Sequence, residues 1–163
     1  MKNEVIFESE RINFIKVTKD LLYDYMLMVN NDDVQKFISH KKKHFNEVQE
    51  LEWIKEKLNN NHFIFSMIEK DTNEYIGNIE LIHIIDNSGE IGICITPNKQ
   101  SKHYGREAIE SFINHARKEL KLDNIELYVY DFNPRAIKCY KEAGFEEDNS
   151  IRNGNEIHMV YKR

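Results

Sequence analysis

Cysteine is scarce in this chain. There are two among 163 residues, Cys94 in a strand-like pattern and Cys139 in a helical one. So distant a pair predicts reduced thiols rather than a disulfide framework. No Cys/His cluster has zinc-ligand spacing, so no metal is expected. No apolar run approaches the roughly 18 residues of a spanning helix, so no membrane is expected as partner. The opening stretch, Met1-Lys-Asn-Glu-Val-Ile-Phe-Glu8, lacks the apolar centre of a signal peptide, and a cytoplasmic location follows as the expectation. Positive charge is not in excess: the formal net charge is −5, which argues against nucleic acid and anionic lipid. Repeats, linkers and low-complexity segments are lacking too, and 163 residues suit a single domain, 1–163, with a core of its own.

What is present is organised around Glu90 to Phe145. Ile91-Gly-Ile-Cys-Ile95 reads as a strand, and Thr96 to Gly105 as a polar turn. A helix is expected from about Arg106 to Leu120, a strand over Asn124 to Tyr130, and a helix from Asn133-Pro134 to Gly144. A donor-rich turn running into a helix N-terminus is a ready anion site, because free N–H groups and the positive dipole end point outward together. The strand–helix–strand unit predicts two parallel neighbours with a right-handed crossover.

The flanks supply the covering elements. Ile12 to Val17 reads as a strand, Thr18 as a cap, and Leu21 to Val29 as a helix. A short helix around Val34–Ile38 and one capped by Asn46 follow. Strands at His62–Ile68 and Tyr75–Ile85 form a hairpin, and Asn153-Gly154 turns a second one. The class is α/β (α+β). His40-Lys-Lys-Lys-His44 is the one dense basic run, either a solvated loop or a pocket wall that repels cations.

Two segments together resemble a known family. Gln100-Ser-Lys-His-Tyr-Gly105, followed by Arg-Glu-Ala108, is similar to the pyrophosphate loop of the GNAT family of acetyl-CoA-dependent N-acetyltransferases. Asn133-Pro-Arg-Ala-Ile-Lys-Cys-Tyr-Lys-Glu-Ala-Gly-Phe145 matches that family's second signature. The branch resembled holds ribosomal-protein and spermidine N-acetyltransferases. The resemblance implies a mainly antiparallel central sheet with one parallel pair at the cofactor cleft, flanked by helices. It implies acetyl-CoA as co-substrate and an amine acceptor, either a small molecule or a protein N-terminus, with a homodimer left open. One motif glycine is replaced by His103, a residue that enters the left-handed region more readily than most, at a cost of about 1 kcal/mol.

The resemblance also assigns roles. Gln100, Ser101, Lys102, His103, Tyr104, Gly105 and Arg106 would hold the pyrophosphate. Backbone near Ile93, Cys94 and Ile95, at a strand bulge, would hold pantetheine and the acetyl oxygen, although nothing in those residues demands a bulge. Asn133 would bind the pantetheine arm, or merely cap its helix, with Ala136 and Tyr140 on the same face. Tyr140 would protonate the departing thiolate; a core aromatic is the alternative. Glu90 and Glu80 are the candidate bases, with Glu126 and Tyr128 sharing one face of the next strand, and a surface role open for each carboxylate. A coenzyme A-binding module without turnover and a ligand-free structural domain are the rival functional classes.

Overall fold

Where each side chain goes follows from two periods, two in strands and 3.6 in helices. In the computed structural model, which describes residues 3–38 and 43–162, the strands are β1 (Val5–Glu8), β2 (Ile12–Ile15), β3 (Phe63–Glu69), β4 (Tyr75–Ile85), β5 (Ser88–Ile95), β6 (Asn124–Tyr130), β7 (Phe145–Asn153) and β8 (Glu156–Tyr161). They form one sheet in the order β1-β2-β3-β4-β5-β6-β8-β7. The helices are α1 (Leu22–Val29), α2 (Asp32–Ile38), α3 (Glu47–Asn59), α4 (Tyr104–Leu120) and α5 (Pro134–Ala143). Among the described residues only β5 and β6 pair in parallel, joined through the crossover helix α4; α5 joins β6 to β7 in the same way, but β8 lies between those two strands.

One sheet face carries Met67, Ile79, Leu81, Ile91, Ile125, Leu127 and Met159, packed with Ile109, Phe112, Ile113 and Ala116 of α4. Complete burial of a ring such as Phe112 contributes about 1.5–3 kcal/mol. The opposite face is divided. Across β2–β4 it is mainly apolar, with Ile64, Ile68 and Tyr75 packed with Tyr25, Met28 and Ile54 of α1 and α3, and with a buried Tyr25–Ser66–Asn78 hydrogen-bond chain among them. Across β5, β6 and β8 the residues alternating with the core are Glu90, Glu126, Tyr128, Glu156 and His158. The sheet therefore offers a polar surface on the half where its parallel pair lies.

Local signals place the element ends. Asn46 and Gln49 form a reciprocal capping box on α3. Gly144 closes α5 at φ 117, where a side chain would be strained. The last hairpin turns on Gly154 and Asn155, with Gly154 at φ 60, so the loop sits one residue beyond Asn153-Gly154.

Two expectations shift. The N-terminal segment forms an antiparallel pair, β1 and β2, rather than a single strand, with the Phe7 and Phe14 rings stacked at 4.1 Å. Helix α4 begins at Tyr104, ahead of Arg106. Of the basic run, Lys43 and His44 are exposed, and 40–42 lie outside the described residues. No helix among the described residues is long and apolar enough to cross a membrane.

Candidate functional site

The site begins where the parallel pair separates. The β5–β6 register runs Ser88 with Asn124, Gly89 with Ile125 and Glu90 with Glu126, and ends there. Both strands continue, β5 to Ile95 and β6 to Tyr130. The Thr96 N–H donates to the Ile76 carbonyl at 2.8 Å, so by alternation the peptide groups of Ile93 and Ile95 aim away from β4, into the opening. The expected bulge at Ile93–Ile95 is not there. The β4–β5 register is regular from Ile82 and Glu90 to Gly77 and Ile95, and its irregularity lies between Ile82 and Ile85. Strand divergence, rather than a bulge, frees this edge.

The turn expected to bind an anion sits at the end of β5. Ser101 and His103 both take left-handed backbone, at φ 61 and φ 66. His103 has no side-chain cap bond, so the first amides of α4, on Tyr104, Gly105 and Arg106, keep no helical acceptor. Such a concave run of N–H groups suits phosphate oxygens. The turn is braced from below. Buried Lys99 reaches Glu74 at 2.8 Å and Glu69 at 3.4 Å. The Tyr104 hydroxyl donates to Glu69, and the Arg11 guanidinium lies 4.1 Å over the Tyr104 ring and donates to the Lys102 carbonyl at 3.1 Å. Hydrogen bonds from Thr72 and Tyr104, then Lys99, push the Glu69 carboxyl down to about 2. Glu107 ties Arg11 in place at 2.7 Å.

These contacts sort the loop residues. The Tyr104 side chain is committed to Glu69 and that of Gln100 to the Ile95 carbonyl at 2.8 Å, so each offers the opening its backbone rather than its side chain. Lys102 and His103 are exposed, and Arg106 pairs with Glu110 at 3.2 Å. Gly105 has a packing reason: a Cβ there would lie 2.9 Å from Cys139 Sγ, so its absence lets α4 and α5 approach. His103→Gly relieves left-handed strain of about 1 kcal/mol. Coenzyme binding by calorimetry is expected to be equal or tighter, and a loss of about tenfold, or about 1.4 kcal/mol, would instead give the imidazole a phosphate contact.

Helix α5 supplies the other wall. Asn133 caps it through Oδ1, which accepts the Ala136 N–H at 3.4 Å. Its side-chain amide N–H group donates to no acceptor among the described residues. Ala136, Ile137, Cys139 and Tyr140 border the core on this helix. The Tyr140 ring contacts Phe145 at 6.3 Å between centroids. Burial raises its phenol well above the ordinary range, and the Cys139 and Cys94 thiols raise it further. Cys94 is itself pushed up to about 12 and Cys139 to about 11, both chiefly by burial, so both are neutral thiols at pH 7. Tyr140 therefore keeps its proton at neutral pH.

The candidate bases lie at the fork. Glu90 is beside Glu126 in register and 3.0 Å from His83 Nδ1. Glu80 faces Gly92 and is 3.5 Å from Lys57 Nζ. Tyr128 shares their face; burial raises its phenol, and Glu126, Glu90, Glu156 and Asp148 raise it further. Glu90, Glu126 and Glu156 thus share one sheet face with Tyr128. His158, cross-strand from Tyr128, completes the group at 4.8 Å between rings, and it escaped the sequence reading. The available signal was its polar parity within Glu156-Ile-His-Met-Val-Tyr161. Among the described residues no group of His, Cys, Asp and Glu could hold a metal ion.

An opened parallel pair with an anion-binding helix start beside it is a specific combination. The family model described as acetyltransferase (GNAT) domain matches residues 11–146. The chain belongs to the GNAT acetyltransferase family. A spermidine N(1)-acetyltransferase of Vibrio cholerae is 29% identical over 134 residues, 81% of this chain and 76% of the relative. The acetyltransferase PseH of Campylobacter jejuni is 26% identical, over 71% of each chain. Among solved structures, the Vibrio cholerae spermidine N-acetyltransferase in complex with CoA and spermine superposes with a TM-score of 0.79 at 24% identity, covering 92% of this chain and 94% of the other. A GNAT acetyltransferase of Bacillus anthracis gives a TM-score of 0.81 at 20% identity, covering 94% and 95%. This GNAT chain is thus an acyltransferase by family, and its eight-stranded mixed sheet is the fold these structures share.

Proposed function

We propose that this GNAT protein moves an acetyl group from acetyl-CoA to the primary amine of a cationic small molecule. The observation that carries the acceptor class is the carboxylate surface at the fork, where Glu90 is in register with Glu126, Glu156 lies on the same face, and Asp148 approaches His158 at 3.4 Å. A cationic amine is drawn to such a surface, and a neutral or acidic one is not. Of the basic run that argues against polyamines, Lys43 and His44 are exposed, and 40–42 lie outside the described residues.

The donor would enter the opening between β5 and β6. Its pyrophosphate would meet the amides of Tyr104, Gly105 and Arg106, with Lys102 and His103 alongside, and its pantetheine arm the peptide edge of Ile93 and Ile95 and the side-chain amide of Asn133. Bound there, acetyl-CoA supplies an activated acyl group. Tyr140 holds a proton close to where the thiolate would leave, and a carboxylate at the fork takes one from the acceptor's ammonium.

The test is release of coenzyme thiol with a panel of amines: diamines and polyamines, aminoglycosides, neutral monoamines, and peptides with free N-termini. Polycationic amines are expected to give the highest kcat/KM, with a preference that weakens as salt rises. Equal rates for neutral amines would overturn the acceptor assignment. Acetyl-CoA should also raise the melting temperature through mass action, and no shift at millimolar concentration would overturn the donor.

A further inference from the structure

Burial of an imidazole without hydrogen-bonded partners is costly, and each such group calls for an explanation. His158 has a side chain only 6% exposed, and neither ring nitrogen has a hydrogen-bond partner. It is nevertheless bracketed. Nε2 lies 3.5 Å from Glu126 Oε2, and Nδ1 lies 3.4 Å from Asp148 Oδ2. Both carboxylates are 33% exposed, one on each side of the ring. Glu126 is the register partner of Glu90 at the point where β5 and β6 part. The row thus crosses three neighbouring strands, β6, β8 and β7, and leads away from the fork.

We infer that Glu126, His158 and Asp148 form a relay that carries the acceptor's proton from the fork to solvent, with His158 as its positioning residue and proton carrier. This rests on the proposed acetyl transfer. The acceptor's ammonium N–H bond breaks, and the proton passes to Glu126, leaving the nitrogen lone pair free to attack the thioester carbonyl. Glu126 gives the proton to Nε2 of neutral His158. The resulting imidazolium, held between two carboxylates, releases its Nδ1 proton to Asp148, which passes it to water. The ring regains its starting tautomer through the same two part-exposed carboxylates: Asp148 returns a proton from water to Nδ1, and Glu126 carries the Nε2 proton to water. No redox partner is needed. Among the described residues, the charged and titratable groups facing His158 are Glu126 and Tyr128 from β6 and Asp148 from β7, with Glu146 further along β7 on the same face, Glu156 two residues away on its own strand and Glu90 beyond Glu126.

The test is the pH profile of kcat/KM for the full chain and its His158→Gln and Asp148→Asn variants, using the best amine found for the wild type. His158→Gln keeps a polar planar group but cannot carry a proton. It is expected to lose about 10²-fold at pH 7, with the deficit closing as pH rises and free amine arrives already deprotonated. Added imidazole should restore part of the rate in His158→Ala. Asp148→Asn should show the same pH pattern to a smaller degree. Acetyl-CoA affinity by calorimetry should be unchanged in all three. A purely structural His158 predicts a deficit that is flat with pH and not rescued by imidazole, and that result overturns the relay. So does His158→Gln turning over within about threefold of wild type at every pH. Both results leave acetyl transfer standing, whereas a wild type that binds no acetyl-CoA removes the functional reading itself.

Discussion

Tyr140→Phe lowers turnover at saturating acetyl-CoA by about 10²–10⁴-fold, equivalent to roughly 3–5 kcal/mol in barrier. The Tyr140 side chain is partly buried against the core, and desolvation holds its proton more tightly than usual. Raising a phenol's pKa keeps it protonated through neutral and mildly alkaline pH, which is the state a proton donor must start from. The variant removes one hydroxyl and keeps the ring against Phe145, so coenzyme affinity and melting temperature should hardly move. If the ring is there for packing alone, the variant turns over within about threefold of wild type. Tyr128, Tyr130 or a bound water would then become the candidate acids. Turnover per folded molecule, measured with an accepted amine, separates the two.

The largest effect on stability is expected at Gly77. A Cβ there would lie 2.0 Å from the Cys94 carbonyl oxygen, 2.9 Å from Ile95 Cα and 3.0 Å from the Cys94 carbonyl carbon. All three are backbone atoms of β5, so no rotamer change relieves the clash and the two strands must move apart. Overpacking of this kind costs about 3 kcal/mol or more. In a domain of this size that is a fall of about 6–12 °C in melting temperature for Gly77→Ala. The same displacement moves Ile95, whose peptide edge borders the opening, so acetyl-CoA affinity should fall as well. A melting temperature within about 2 °C of wild type would show that β5 is not held as closely to β4 as the geometry requires.

Much of the fold was legible because its signals are local. Asn46 with Gln49, Asn133 before Pro134, and Gly144 before Phe145 mark helix ends through backbone donors and left-handed geometry, which depend only on near neighbours. The parallel pair followed from a strand, a helix and a strand in succession. Left-handed backbone at His103 was anticipated from the residue type and is found at φ 66. What was hidden depends on distant partners. Tyr104 turns to Glu69, 35 residues away, which no spacing within the loop reveals. Freeing of the Ile93–Ile95 edge comes from β6 leaving β5, whereas a bulge would have been a feature of one strand pair alone. His158 and Asp148 join the carboxylates only once β7 and β8 are set against β6, so their roles could not be read from either strand.

The most direct measurement is product analysis by mass spectrometry after incubation of the protein with acetyl-CoA and a polycationic amine, alongside thiol titration and a Tyr140→Phe control. The account predicts a mono-acetylated amine and free coenzyme thiol in equal amounts, formed repeatedly per protein molecule and almost absent from the control. Acetyl-CoA that binds but remains intact in the presence of every amine, with no acetylated product, would contradict it.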